Sequence, residues 1–224
     1  MVDLQVQFDK LLEQYAVLQK GLVGKKIEAF HDLIGSYRIA HEEYRKKTKG
    51  SAPDFNPITL LGLKYNELAH SRILAWLFDP EETHSQGDLF FRHFLAHFEF
   101  EVVYDPWDYK VKREQVGKDA IIDILVYGRS FIFYIENKTL ASEGHDQTNR
   151  EYRDLKKLSK ALNVNNIFPL FLTPQGDPPE NKKWKPISYY QLAEAFEEAL
   201  AEIQEHYVKR FVGSWIATLK SIEV

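Results

Sequence analysis

Cysteine is absent from the 224 residues, which excludes disulfides and any zinc centre built on thiolates. Absent too are a secretory apolar segment at the N-terminus and any run of about eighteen apolar residues. A membrane-spanning helix is therefore not expected, and a cytoplasmic location is. Excess positive charge is also missing: 29 Lys and Arg stand against 33 Asp and Glu, a formal charge of −4. A polyanion could be held only by local basic patches. No internal repeat or low-complexity tract is present, so a repeat array is not expected. What is present is a 44% hydrophobic, 14% aromatic composition that suits an ordinary globular core. The length fits one domain with appended helices.

The most informative stretch runs from Asp119 to Lys138. Two runs of β-branched and aromatic residues, 120–127 and 131–136, flank Gly128-Arg129-Ser130 and predict a hairpin. Both runs are apolar on both parities, as strands covered on two faces are. Ionised carboxylates are costly there, yet Asp123 interrupts the first run and Glu136 ends the second, with Lys138 two positions on. A two- or four-residue loop centred on Arg129-Ser130 sets Asp123 opposite Glu136, with Cβ atoms roughly 5 Å apart. Lys138 then shares the Glu136 face. A three-residue loop turns Asp123 away. Two carboxylates that close repel, and a hard divalent cation such as Mg²⁺ relieves the repulsion. A buried Lys-Asp-Glu ion network without chemistry is the bland alternative.

Asp123 followed by Glu136-Asn137-Lys138 resembles the PD-(D/E)XK nuclease superfamily, and so does the upstream stretch. Asn66-Glu67-Leu68-Ala69-His70-Ser71-Arg72-Ile73-Leu74-Ala75-Trp76-Leu77-Phe78-Asp79-Pro80, with His84 and Gly87 beyond, is similar to the helix preceding the sheet in a bacterial branch of that superfamily. The resemblance covers about residues 60–175. It implies an α/β, restriction-endonuclease-like core: a central mixed sheet of four to five strands flanked by helices. It further implies Mg²⁺-dependent hydrolysis of DNA, with Mn²⁺ as a substitute ion, in restriction or defence against foreign DNA. Asp123, Glu136, the backbone carbonyl of Asn137 and Glu67 are the implied metal ligands; Lys138 is the implied catalytic cation, and Gln147 positions the phosphate. Two departures stand out. Ile122 occupies the place of the superfamily's proline. Gln147 and Tyr152 are five positions apart, where a helical Gln and Tyr one turn apart are expected.

Elsewhere, Leu4, Phe8, Leu11, Tyr15, Leu18 and Leu22 predict one apolar helix face, and Ile27, Phe30, Leu33, Ile34 and Tyr37 a second helix from about 25 to 47. Residues 1–50 thus read as a helical hairpin packed on or extending a domain over 58–224, with a coiled-coil-like homodimer as the sharper alternative. Ser51 to Pro57 breaks the pattern. His93 and His97 have zinc-binding spacing, but Phe94 stands where a zinc protease needs glutamate, so packed or surface histidines are expected. His70 and His84 read as either functional or structural, the latter by a hydrogen bond fixing the Pro80–Gly87 loop. Residues 109–115 predict the first strand, with Glu114 near the acids and a turn at Gly117-Lys118. A helix over 143–162 and a parallel strand over 166–173 follow. Pro174–Pro186 reads as a loop, and Ser188 to about Leu219 as continuous helix. Three basic groups are candidate nucleic-acid contacts: Arg45 to Lys49 after the second helix, Lys156, Lys157 and Lys160 on the crossover helix, and Lys182, Lys183 and Lys185 around Trp184. DNA is the expected partner. The other readings are a nuclease acting on RNA and a non-catalytic nucleic-acid-binding or assembly module that keeps the fold.

Overall fold

The computed structural model describes residues 2–116, 121–140 and 143–222. The chain divides into two compact units, residues 1–54 and 55–224. The first is essentially one helix, α1 (Val2–Thr48). The expected hairpin is therefore corrected: no turn separates the two apolar patterns. Gly21 and Gly24 sit between them, but each costs an interior helix only about 1 kcal/mol relative to alanine. Without a proline or an Asn-Gly pair, nothing there forces the chain out of the helix. Tyr15, Leu22, Ile27, Phe30, Leu33 and Tyr37 are exposed. The side chains of Leu4, Phe8, Leu11 and Leu18 lie outside the described residues.

The second unit is an α/β sandwich of helices about one sheet. In chain order it comprises α2 (Pro57–Leu60), α3 (Glu67–Phe78), α4 (Leu89–His97), β1 (Tyr109–Val116), β2 (Ile121–Gly128), β3 (Phe131–Asn137), α5 (Gln147–Leu162), β4 (Asn166–Thr173), β5 (Lys185–Ser188), α6 (Tyr189–Leu200) and α7 (His206–Ser221). The five strands lie in the order β1-β2-β3-β4-β5. The first three are antiparallel neighbours, while β3, β4 and β5 run parallel. This is the mixed sheet expected from sequence, and α5 supplies the crossover that a parallel β3–β4 pair requires.

Two apolar layers hold the sheet. On one face Phe133 and Phe131 meet Phe91 and Phe94 of α4, while Phe78 of α3 packs on Phe94 with ring centroids 5.0 Å apart. On the other, Ile132 and Tyr134 join Leu155 of α5 and Trp184. Each fully buried aromatic of this kind contributes roughly 1.5–3 kcal/mol of transfer free energy. No helix among the described residues is long and apolar enough to cross a membrane.

Three boundaries differ from the sequence pattern. Strand β5 lies where a loop was expected; it is only four residues long and holds Pro186, which an edge strand tolerates. The C-terminal helix is two helices, because Ala201–Glu205 breaks it: Ile203 turns into the core, and Glu205 caps α7 by accepting from the N–H of Val208. Tyr207, in the first turn of α7, is 81% exposed. The anticipated turn at Gly117-Lys118 lies outside the described residues.

Candidate active site

The β2–β3 hairpin closes on Arg129-Ser130, and its ladder pairs Ile124 with Ile135 and Tyr127 with Ile132. One step further in that register, Asp123 faces Glu136. On the other side of β2 the β1 ladder skips Glu114 and Asp123, and Glu114 has a positive φ of 48°. The break loosens the strand at the acid. Asp123 Oδ2 accepts the backbone N–H of Asn137 at 2.9 Å. The N–H of Lys138 goes to Leu172 of β4. By strand alternation the N–H and C=O of Asn137 then both point to the Asp123 side.

Period-two alternation also sorts the side chains. Glu136 and Lys138 fall on the α5 side, where Lys138 Nζ pairs with Glu136 Oε1 at 2.7 Å. Gln147, the first residue of α5, donates from Nε2 to Glu136 Oε1 at 2.5 Å and to Glu151 Oε1 at 2.8 Å. Asn137 falls on the α3 side. There its amide donates to Glu67 O and Ser71 Oγ, at 3.1 and 3.0 Å, and accepts from Tyr189 OH at 2.7 Å. Helix α3 arrives because Asn66 caps it, accepting from Ala69 N, and this puts Glu67 in the first turn. Glu67 Oε1 accepts the N–H of Thr139 at 2.9 Å. The start of α3 is thereby stitched to the end of β3.

The electrostatics are those of an acid pair short of cations. Glu136 is 2% exposed; burial and then the charge of Asp123 push its carboxyl up to about 7. Burial likewise raises Asp123, with Glu67 and Glu114 adding to it. Burial works against the charge of Lys138, but the Glu136 carboxylate outweighs it and leaves the ammonium above its ordinary value. Three buried polar atoms have no partner among the described residues: Glu136 Oε2, Glu151 Oε2 and Tyr134 OH.

Glu151 was not singled out from sequence. It is 1% exposed, and burial followed by the charge of Glu136 pushes its carboxyl up to about 8. The signal was its position four residues after Gln147, one helical turn on, where a tyrosine was sought. Tyr152 points elsewhere, under the ammonium of Lys183 at 4.9 Å. Gln147 Nε2 donates to both carboxylates and so links Glu136 to Glu151.

Among the described residues no three His, Cys, Asp or Glu side chains gather at metal-binding separation. Glu67 spends one carboxylate oxygen on the Thr139 N–H, and its charge is felt at Asp123. The carboxylates opposed across the hairpin are those of Asp123 and Glu136.

His70 and His84 are both held by hydrogen bonds. His70, its pKa lowered by burial, sits between Lys64 O at 2.8 Å and the indole N–H of Trp215 at 2.9 Å. The partners fix the tautomer: Nε2–H donates and Nδ1 accepts. His84 bonds Asp79 O and accepts from Gln86 N, both at 2.9 Å, tying down the Pro80–Gly87 loop. His93 hydrogen-bonds Glu202 at 2.7 Å and also lies near Glu198, and His97 lies 3.8 Å from Glu198.

The lysines split. Lys185 lies over the rings of Phe98 and Phe100, Lys183 over Tyr152, and Lys157 pairs with Asp154 at 2.8 Å. Lys182, Lys156 and Lys160 are exposed. Trp184 is buried with its N–H on Thr148 O, so it offers no stacking surface in that loop. A cavity of about 310 Å³ opens beside Lys138, lined by Thr139, Glu143 and Thr173 among others. It lies outside the C-terminal ends of β3 and β4, where ligands of open α/β sheets bind.

A comparison with protein-family models matches residues 55–216 to the PD-(D/E)XK nuclease superfamily. Curated proteins and solved structures give no match. The matched span holds the whole sheet, both acids and the lysine, and on this basis the chain belongs to the PD-(D/E)XK nuclease superfamily.

Proposed function

We propose that the protein hydrolyses phosphodiester bonds of nucleic acid, DNA in the first place, with a divalent cation at Asp123, Glu136 and the Asn137 carbonyl. One observation carries this reading: Glu136 Oε2 is buried, has no partner among the described residues, and is opposed to the half-buried carboxylate of Asp123. An arrangement that costs free energy in the absence of a cation fits one in its presence. The donors are all hard oxygens, which suits Mg²⁺ or Mn²⁺ and not a thiolate-seeking metal. Glu67 and Glu114 add negative potential without occupying the ligand positions.

When bound, the cation supplies charge against the phosphate oxygens and acidifies water. The chain does the rest. Lys138, paired with Glu136 and bordering the cavity, presents a permanent cation that orients the attacking water or meets charge as it develops. Gln147 fixes the Glu136 carboxylate through one amide hydrogen while Glu151 holds the other, so the ligand is positioned before substrate arrives. Asn137, clamped by Ser71 and Tyr189, keeps the backbone carbonyl beside Asp123. A binding-only module has no use for two buried acids that repel phosphate. Restriction or defence against foreign DNA is the biological setting we favour.

The test incubates the pure protein with plasmid, linear duplex, single-stranded DNA and RNA, each with Mg²⁺, Mn²⁺ or EDTA. Cleavage of DNA in either metal, abolished by EDTA and by Lys138→Ala, is the expected result. Cleavage that survives both treatments contradicts the reading, and cleavage confined to RNA transfers it to the other polymer.

A further inference from the structure

A cavity of about 880 Å³ lies between α3, β1 and α7, apart from the carboxylate pair. Arg72 and Trp76 are four apart on one face of α3, and Asp79, three further on, caps its C-terminus at the same groove. Helix α7 contributes Tyr207 and Phe211, and β1 contributes Arg113.

The groove is graded in charge. Its arginine end adjoins the acids, because Arg113 pairs with Ile124, the residue after Asp123, and the next residue, Glu114, acts on Asp123. Arg72 is exposed and has no ion pair among the described residues. The carboxylate nearest Arg113 is its own neighbour Glu114, at 3.8 Å. Asp79 and Glu82 mark the other end, roughly 10 Å along α3 at 1.5 Å per residue. Each spends one oxygen on a backbone N–H, leaving the second available.

Between the ends lie aromatic surfaces. The indole of Trp76 is held by its N–H on Thr83 Oγ1 at 2.9 Å and by an edge contact to Phe211 with centroids 5.7 Å apart. Tyr207 is the contrary case: 81% exposed, with the ring of His206 5.9 Å away. A rigid aromatic wall, a free aromatic ring, cations at one end and acceptors at the other match the parts of a nucleotide. The volume falls within the range of small-ligand sites.

We infer that this groove is a subsite for one unpaired nucleotide of the substrate strand. Arg72 and Arg113 take its phosphate, Tyr207 and Trp76 take the base, and Asp79 and Glu82 accept from its ring or exocyclic N–H groups. The inference rests on the nuclease reading and adds a substrate preference to it. A base inside a continuous duplex is stacked and paired and cannot enter, so single strands and frayed ends are favoured.

The test is fluorescence anisotropy in EDTA, with a labelled short oligothymidylate and a blunt duplex of equal length. Wild type should bind the single strand more tightly. Tyr207→Ala should weaken single-strand binding by roughly 5- to 150-fold, the range for one lost stacked base, and leave duplex binding unchanged. Tyr207→Phe should bind like wild type. Arg72→Ala should lower the log–log salt slope for the single strand by about 0.7. Both side chains are exposed, so neither substitution removes core packing. Equal single-strand affinity in wild type and Tyr207→Ala overturns the inference. So does a Tyr207-dependent self-association in sedimentation, which would assign the groove to a second copy of the chain. Failure of the two readings is separable. Metal-dependent cleavage with Tyr207-independent binding sinks the subsite alone; Tyr207-dependent binding without cleavage under any metal sinks the nuclease reading alone.

Discussion

The two faces of β3 treat polar groups in opposite ways. Toward α3 and α4 the strand presents Phe131, Phe133 and Ile135 and then Asn137, whose amide is matched to Glu67, Ser71 and Tyr189. Toward α5 it presents Ile132, Tyr134 and Glu136 and then Lys138, and there Tyr134 OH, Glu136 Oε2 and Glu151 Oε2 are buried without partners among the described residues. A buried polar group left unpaired costs about 1–3 kcal/mol. Three such groups within one cluster lower stability on this face, as the proposed cation site requires, while the other face is fully matched.

The largest expected effect separates the faces by what each loses. Lys138→Ala should reduce single-turnover cleavage by about two to four decades, the range for one positioned catalytic group, with little change in melting temperature. Its Mn²⁺ affinity should stay within about one log unit of wild type or rise. Cleavage at the wild-type rate would return the cluster to an inert ion network.

On the other face Phe133→Ala should cost about 3–5 kcal/mol of unfolding free energy by denaturant titration, since the ring is fully buried among Phe91, Phe94 and Phe168. A loss below about 1 kcal/mol would mean that the aromatic face is not what holds the sheet.

The third effect is pH-dependent. Burial, and then the charge of Glu136, raise the Glu151 carboxyl from its ordinary 4.5 to about 8 in the folded protein. The folded state therefore binds this proton more tightly than the unfolded state. The resulting stability is full below the unfolded value and is lost as pH rises through about 8. Metal-free Glu151→Gln, which cannot ionise, should be more stable than wild type at about pH 8.5, by roughly 1–3 kcal/mol, and should lose that advantage near pH 5. Parallel stability curves for the two proteins would remove Glu151 from the acid cluster.

The smallest effect concerns the surface. Lys182→Ala should lower the duplex-binding salt slope by at most about 0.9, and Lys156 and Lys160 on α5 are its controls. Lys183 and Lys185 lie over aromatic rings, and their replacement should register in stability as well as in the slope.

The sheet was legible because its signals are local. The apolar runs of β2 and β3 and the turn between them marked the hairpin, and of the loop lengths the sequence left open, the two-residue one is found, which brings Asp123 opposite Glu136. The β5 strand was not legible: four residues with a proline carry almost no period, and pairing with β4 alone makes them a strand. The uninterrupted α1 escaped because two glycines look like punctuation while costing a long helix little. Glu151 escaped for a different reason. A glutamate on an exposed-looking helix carries no mark of burial, and only its proximity to Gln147 and Glu136 reveals it.

The account rests on the claim that Asp123 and Glu136 form a cation site. Calorimetric titration of Mn²⁺ into wild type and Asp123→Ala tests it most directly. Wild type should bind the ion at this centre, and Asp123→Ala should lose that binding while melting, metal-free, at the same or a higher temperature, because one repulsive buried charge has gone. Equal Mn²⁺ affinity in the two proteins would contradict it.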